Sequence, residues 1–117
     1  MKALAFLILT CALTAATFAD VVGEYRGEGT NPGGQGSYTC DVKITRSGDV
    51  YAVQWYFDGS LGYEGVGIMK GGLFCVGYTS SGGYGIVVYT INADGSLDGT
   101  WAGKGSAELG TEKLTKE

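Results

Sequence analysis

From residue 22 onward, hairpin-turn signals interrupt the chain about every 8 to 12 residues, a rhythm that leaves room for short strands and little else. The interruptions are TNPGGQG at 30–36, RSGD at 46–49, Asp58-Gly59, Lys70-Gly71-Gly72, the stretch from Ser80 to Gly83, and NADG at 92–95. Between them the apolar residues alternate. From Ser37 to Thr45, Tyr38, Cys40, Val42 and Ile44 share one face, while Thr39, Asp41, Lys43 and Thr45 share the other. From Val50 to Phe57 the apolar face carries Tyr51, Val53, Trp55 and Phe57. Such a period of two belongs to strands with one buried side.

The remaining expected strands are Val22–Gly29, Leu61–Met69, Leu73–Thr79, Tyr84–Ile91, Ser96–Ala102 and Ala107–Leu114. Tyr84–Ile91 is almost continuously apolar, as a strand covered on both sides would be. No segment beyond residue 19 shows a helical apolar period. Eight short strands joined by short loops form an up-and-down meander most simply, and closing the meander removes its exposed edges. The expectation is therefore an all-β fold, a small antiparallel up-and-down barrel of about eight strands, with a two-sheet β-sandwich as the alternative. The 22 glycines suit such a barrel, where tight bends and close backbone approaches favour residues without a Cβ.

Residues 1–19 have the layout of a secretory signal peptide: Lys2, an apolar or small run from Ala3 to Leu13, and Thr17 and Ala19 ahead of a cleavage point before Asp20. The apolar run is short for a membrane span. Lipidation at Cys11 is an alternative that fits less well, because Thr10 stands where a lipobox has a smaller residue. The organisation expected is a signal peptide at 1–19 and one barrel domain at 20–117, secreted or periplasmic, with no membrane insertion after cleavage. Cys40 and Cys75 remain in the exported part, where a disulfide between them could stabilise the fold by about 3–4 kcal/mol, although their strands are expected three apart and two buried free thiols are the alternative.

Lys2 leaves with the signal, so seven of the eight basic residues face all twelve acidic ones. An acidic surface repels phosphate backbones, and nucleic acid is not an expected partner. The chain contains no histidine, which removes the usual serine or cysteine triad and the commonest zinc ligand. Asp41, Glu64, Glu108 and Glu112 are the carboxylates that could form an acid/base pair, but they read as charges on outward strand faces. The segment NADGSLDG at 92–99 lacks the spacing of a calcium loop and reads as a hairpin turn. No enzyme, cofactor or metal site is expected.

Aromatic residues are the stronger candidates, since amphipathic rings dominate binding surfaces. Tyr38, Tyr51, Trp55, Tyr63 and Trp101 are the expected ligand-binding residues. By parity Tyr38, Tyr51 and Trp55 point inward, and large inward rings are expected to fill a narrow barrel, which favours binding at the surface.

GYEGVGI (62–68), LFCVGY (73–78), YGIVVYTI (84–91), DGSLDGTWA (94–102) and LGTEKL (109–114) together resemble small secreted bacterial proteins often labelled fibronectin-binding or of unknown function. The resemblance covers most of the chain after residue 19 and implies a shared fold and adhesion to a matrix protein. The expected function is an exported, monomeric, noncatalytic binding module for a protein or glycan, with the loop around Asn31 to Gly36 in the contact. The alternatives are a carrier of a small apolar ligand, in a barrel like that of lipocalins or avidins, and a carboxylate-dependent hydrolase.

Overall fold

The computed structural model describes residues 20–117, so the expected signal peptide and the Cys11 alternative lie outside the described residues. The strands are β1 (Gly23–Thr30), β2 (Ser37–Ser47), β3 (Val50–Phe57), β4 (Ser60–Lys70), β5 (Leu73–Ser80), β6 (Gly83–Ile91), β7 (Leu97–Gly103) and β8 (Gly110–Lys116). Each pairs antiparallel with the next, and β8 pairs back onto β1, closing the barrel in sequence order. The meander expected from turn spacing is the fold observed. The expected last strand begins late, at Gly110, because residues 104–109 cross the barrel end as a loop held by Lys104 N to Tyr84 O and Ser106 N to Gly103 O.

Alternation sorts the side chains as the β2 and β3 patterns require. Cys40, Val42 and Ile44 of β2 and Tyr51, Val53 and Trp55 of β3 are buried in the lumen, with Phe74 and Val76 of β5, Val87 and Tyr89 of β6, Leu97 of β7 and Leu114 of β8. One end of the lumen is solid. Val21, just ahead of β1, is buried there, and the Tyr25 hydroxyl donates to its carbonyl at 2.7 Å. Both ends of the described chain meet at this filled end, where Lys116 Nζ donates to Asp20 O and Glu117 N to Glu24 O.

Four of the inward rings do not aim at the barrel axis. Tyr38 lies directly opposite Gly29 in the ladder, Tyr78 opposite Gly85, Tyr89 opposite Gly99 and Trp101 opposite Gly110. A Cβ built on any of these glycines would run into the ring it faces. Each ring therefore leans across the neighbouring strand and lies along the wall, in the space the missing side chain leaves. A similar arrangement marks the one irregularity of the ladder, between Trp55 and Tyr56, where Gly62 is the extra residue of β4 and the Phe57 ring packs over it.

Three expectations are corrected. The Cys40–Cys75 disulfide does not form: both cysteines are free, with Cys40 buried in the lumen and Cys75 on the opposite parity of β5, between outward-facing Ile68 and Val88. Strand β6 is not covered on both sides either, since Ile86 is 58 % exposed and Val66 on nearby β4 is 62 % exposed, making an apolar outer face on β4–β6. Finally, the interior is filled at one end only.

Packing along the wall carries a stability prediction. At Gly99 an added Cβ would stand 2.6 Å from Cε1 of fully buried Tyr89, so Gly99→Ala overpacks the lumen and should destabilise the barrel by about 1–3 kcal/mol. Gly77 faces outward with nothing within 4 Å, so Gly77→Ala should leave the urea midpoint unchanged or slightly raised. Equal losses in both variants would refute the wall-packing account.

Candidate functional site

The loops after β1, β3, β5 and β7 surround the other end of the barrel, which is open. Behind it lies a cavity of about 590 Å³, within the range of roughly 300–1,000 Å³ usual for small-molecule sites. Six aromatic side chains form a continuous belt around it. Trp101 meets Tyr38 with ring centroids 6.3 Å apart, Tyr38 meets Phe57 at 6.1 Å, Phe57 meets Tyr63 at 5.8 Å, Tyr63 meets Tyr78 at 5.6 Å, and Tyr78 meets Trp55 at 5.8 Å. These tilted and edge-on contacts are the favourable geometry for ring pairs. Polar ends are tied to the wall: Tyr78 donates to Ala102 O at 3.2 Å, and the Trp101 indole donates to Thr111 O at 3.2 Å. The rim carries Asn31, Pro32, Ser80, Tyr84, Lys104 and Ser106.

At the floor stands Glu112, 5 % exposed, on the inward parity of β8 between Gly110 and Leu114. Its Oε1 accepts from the Tyr38 hydroxyl at 3.0 Å and from the Cys40 thiol at 3.7 Å. Its Oε2 accepts from the Trp55 indole at 3.2 Å and from the Tyr89 hydroxyl in a short contact. Two donors per oxygen match the acceptor capacity of a carboxylate, and none of the buried polar side-chain atoms described is left without a partner. All four donors are neutral groups.

The donors hold their protons firmly. Burial, then the charge of Glu112 and the hydrogen bond to it, push the Tyr38 hydroxyl above the usual phenol range. The same causes in the same order raise Tyr89 well above it and push the Cys40 thiol up to about 12. Burial also raises Tyr78, with smaller contributions from Tyr63 and Glu112. An unpaired thiol so protected is a weak nucleophile at neutral pH.

Of the expected ligand-binding residues, the cavity brings together Tyr38, Trp55, Tyr63 and Trp101. Tyr51 lies elsewhere. It is buried toward the filled end, edge-on to Phe74 at 5.2 Å with the Arg46 guanidinium 5.4 Å from its ring centroid, and it belongs to the core. Phe57, Tyr78 and Glu112 complete the lining without having been singled out for it. For Glu112 the outward expectation is overturned, and the legible signal was its parity with Leu114. The other three carboxylates are exposed, Asp41 in an outer ion pair with Arg26 at 3.4 Å, so no acid/base pair is assembled in the cavity. Among the described residues there is no group of side chains suited to hold a metal ion. Compared with family models, with curated proteins and with solved structures, the chain has no match.

The raised thiol and phenols have a consequence for stability. A group that keeps its proton longer in the folded barrel than in the unfolded chain favours folding in full below its unfolded value, and that advantage fades as pH rises toward its folded value. For Cys40 the window runs from 9.0 to about 12, and Tyr38 and Tyr89 extend it in the same direction. The urea midpoint should fall steadily across that window, and less steeply in Cys40→Ala. A flat alkaline profile would contradict the network.

Proposed function

We propose that this chain is a noncatalytic binding protein that takes one small, largely apolar ligand into the open end of its barrel. The observation that carries the reading is the cavity behind a continuous aromatic belt, in a lumen otherwise packed solid. Rings held edge to face and tied to the wall are preorganised, so a flat apolar ligand would bind without first ordering its site. The free end of the barrel supplies the entrance, and the loop at 31–36 contributes Asn31 and Pro32 to its rim.

Gly103 offers a clean test. Its position faces the cavity, and an added Cβ would find ordinary contact with the Tyr78 hydroxyl at 3.4 Å and the Trp101 ring at 3.6 Å. Gly103→Leu should therefore obstruct the cavity while keeping the fold. Nile red, a neutral fluorescent dye that brightens in apolar surroundings, should bind the wild-type protein and quench its tryptophans. Gly103→Leu should weaken that binding at least tenfold. Dye binding that ignores the substitution, in a variant whose circular dichroism is unchanged, would place the dye elsewhere and overturn the reading.

A second reading, adhesion to a protein as the family resemblance implies, has one observation in its favour. Val66, Ile68, Ile86 and Val88 present an apolar outer face, and apolar patches of this kind mark interaction surfaces. It predicts that immobilised fibronectin retains the protein and that Ile86→Lys abolishes retention. Absence of retention in surface plasmon resonance would remove this reading without touching the first.

A further inference from the structure

Glu112 does more to the cavity than close its floor. The carboxylate is buried, and every group that hydrogen-bonds to it is neutral: the Tyr38 and Tyr89 hydroxyls, the Cys40 thiol and the Trp55 indole. Hydrogen bonds satisfy its lone pairs but do not cancel its charge. A buried charge ordinarily has an opposite charge beside it, because leaving it alone is expensive. Here the one ion pair among the described residues is Arg26–Asp41, on the outer surface. The nearest candidate on the cavity itself, Lys104, is exposed at the rim with its ammonium 5.4 Å from the ring centroid of Tyr84, where water screens it.

The walls add a field of the same sign. Aromatic rings present negative faces, and a cation within about 6 Å of a ring centroid is attracted to them, more strongly where water is excluded. Six such rings line the cavity in a row of tilted and edge-on contacts from Trp101 to Trp55, and Glu112 lies beneath them. We infer that the cavity selects a small organic monocation, an ammonium group attached to an apolar or aromatic body, with the buried Glu112 carboxylate as the countercharge and the aromatic belt as the cage. This inference rests on the cavity being a ligand site, as proposed above.

Direct contact with Glu112 is not required. All its acceptor positions are occupied, so its effect on a ligand is that of a fixed charge in surroundings of low polarity. The Tyr38 hydroxyl donates its proton to the carboxylate and lines the cavity. A quaternary ammonium needs only the rings and the charge. A bare divalent metal ion is disfavoured, since no cluster of ligating side chains is present among the described residues and ring faces do not replace oxygen ligands.

The test compares three ligands of nearly one shape: benzyltrimethylammonium, its uncharged carbon analogue neopentylbenzene, and the anion phenylmethanesulfonate. Each is titrated against the Nile red complex of the full chain. The wild-type protein should rank them cation first, by tenfold or more over the neutral analogue, with the anion last. In Glu112→Gln the cation should lose its advantage, so that the cation and the neutral analogue bind with equal affinity in the variant. Lys104→Ala should leave the ranking in place. Equal affinity for cation and neutral analogue in the wild type would overturn the inference while the cavity reading stands. So would an anion preference that disappears in Lys104→Ala. Failure of Nile red and all three ligands to bind would instead defeat the cavity reading itself. Should circular dichroism show Glu112→Gln unfolded, the wild-type ranking alone decides.

Discussion

One carboxylate holds the middle of this barrel together. Glu112 on β8 accepts from β2 through Tyr38 and Cys40, from β3 through Trp55 and from β6 through Tyr89, strands that are not its ladder neighbours. The ladder ties each strand to two others, whereas this junction ties the wall across its own diameter. Three of the donors are the polar ends of large rings, so the junction also fixes where those rings stand. Below it the lumen is filled by Tyr25, Ile44, Phe74, Leu97 and Leu114, and above it lies the cavity. Changing Glu112 to an apolar residue would strand several buried donors at once, at roughly 1–3 kcal/mol for each left without water or another partner.

The open space has a second origin in the pairing of rings with glycines. A tyrosine or tryptophan opposite an ordinary residue would have to rise toward the axis, and a few such rings would close a barrel this narrow. Opposite Gly29, Gly85 and Gly110, the rings of Tyr38, Tyr78 and Trp101 lie against the neighbouring strand instead. Glycine in a strand is itself unfavourable, by about 0.5–1 kcal/mol relative to alanine. Ring burial on the wall offsets that loss, and the result is a lumen with aromatic surfaces and free volume together. The hydroxyl and indole ends that reach Glu112 and backbone carbonyls keep the rings from swinging back.

Much of the architecture was legible in the sequence. Turn dipeptides located the hairpins, and the clean alternation of β2 and β3 assigned Cys40, Val42, Ile44, Val53 and Trp55 to the interior. What was not legible depends on partners distant along the chain. Whether Trp101 fills or lines the lumen is decided by the residue across the ladder, Gly110, and the register that brings them together is not a local property. Glu112 escaped because an acidic residue at an inward position contradicts the rule that gives alternation its meaning, and only its donors on β2, β3 and β6 make the position tolerable. Cys40 and Cys75 lie three strands apart in the meander, which left both a disulfide and two free thiols open; parity on β5 turns Cys75 to the outer face and decides for free thiols. Tyr51 shares a face with Trp55, but it stands toward the opposite end of the same strand, and the distance along β3 separates a core ring from a cavity ring.

The meeting of Asp20 with Lys116 and of Glu24 with Glu117 at the filled end of the barrel gives the molecule a direction. Asp20 and Glu117 both stand on the side opposite the cavity entrance. A tether, a fused domain or a solid support joined at either end would therefore hold the barrel like a cup by its base, with the aromatic mouth facing the medium and the loops around it free to meet a ligand.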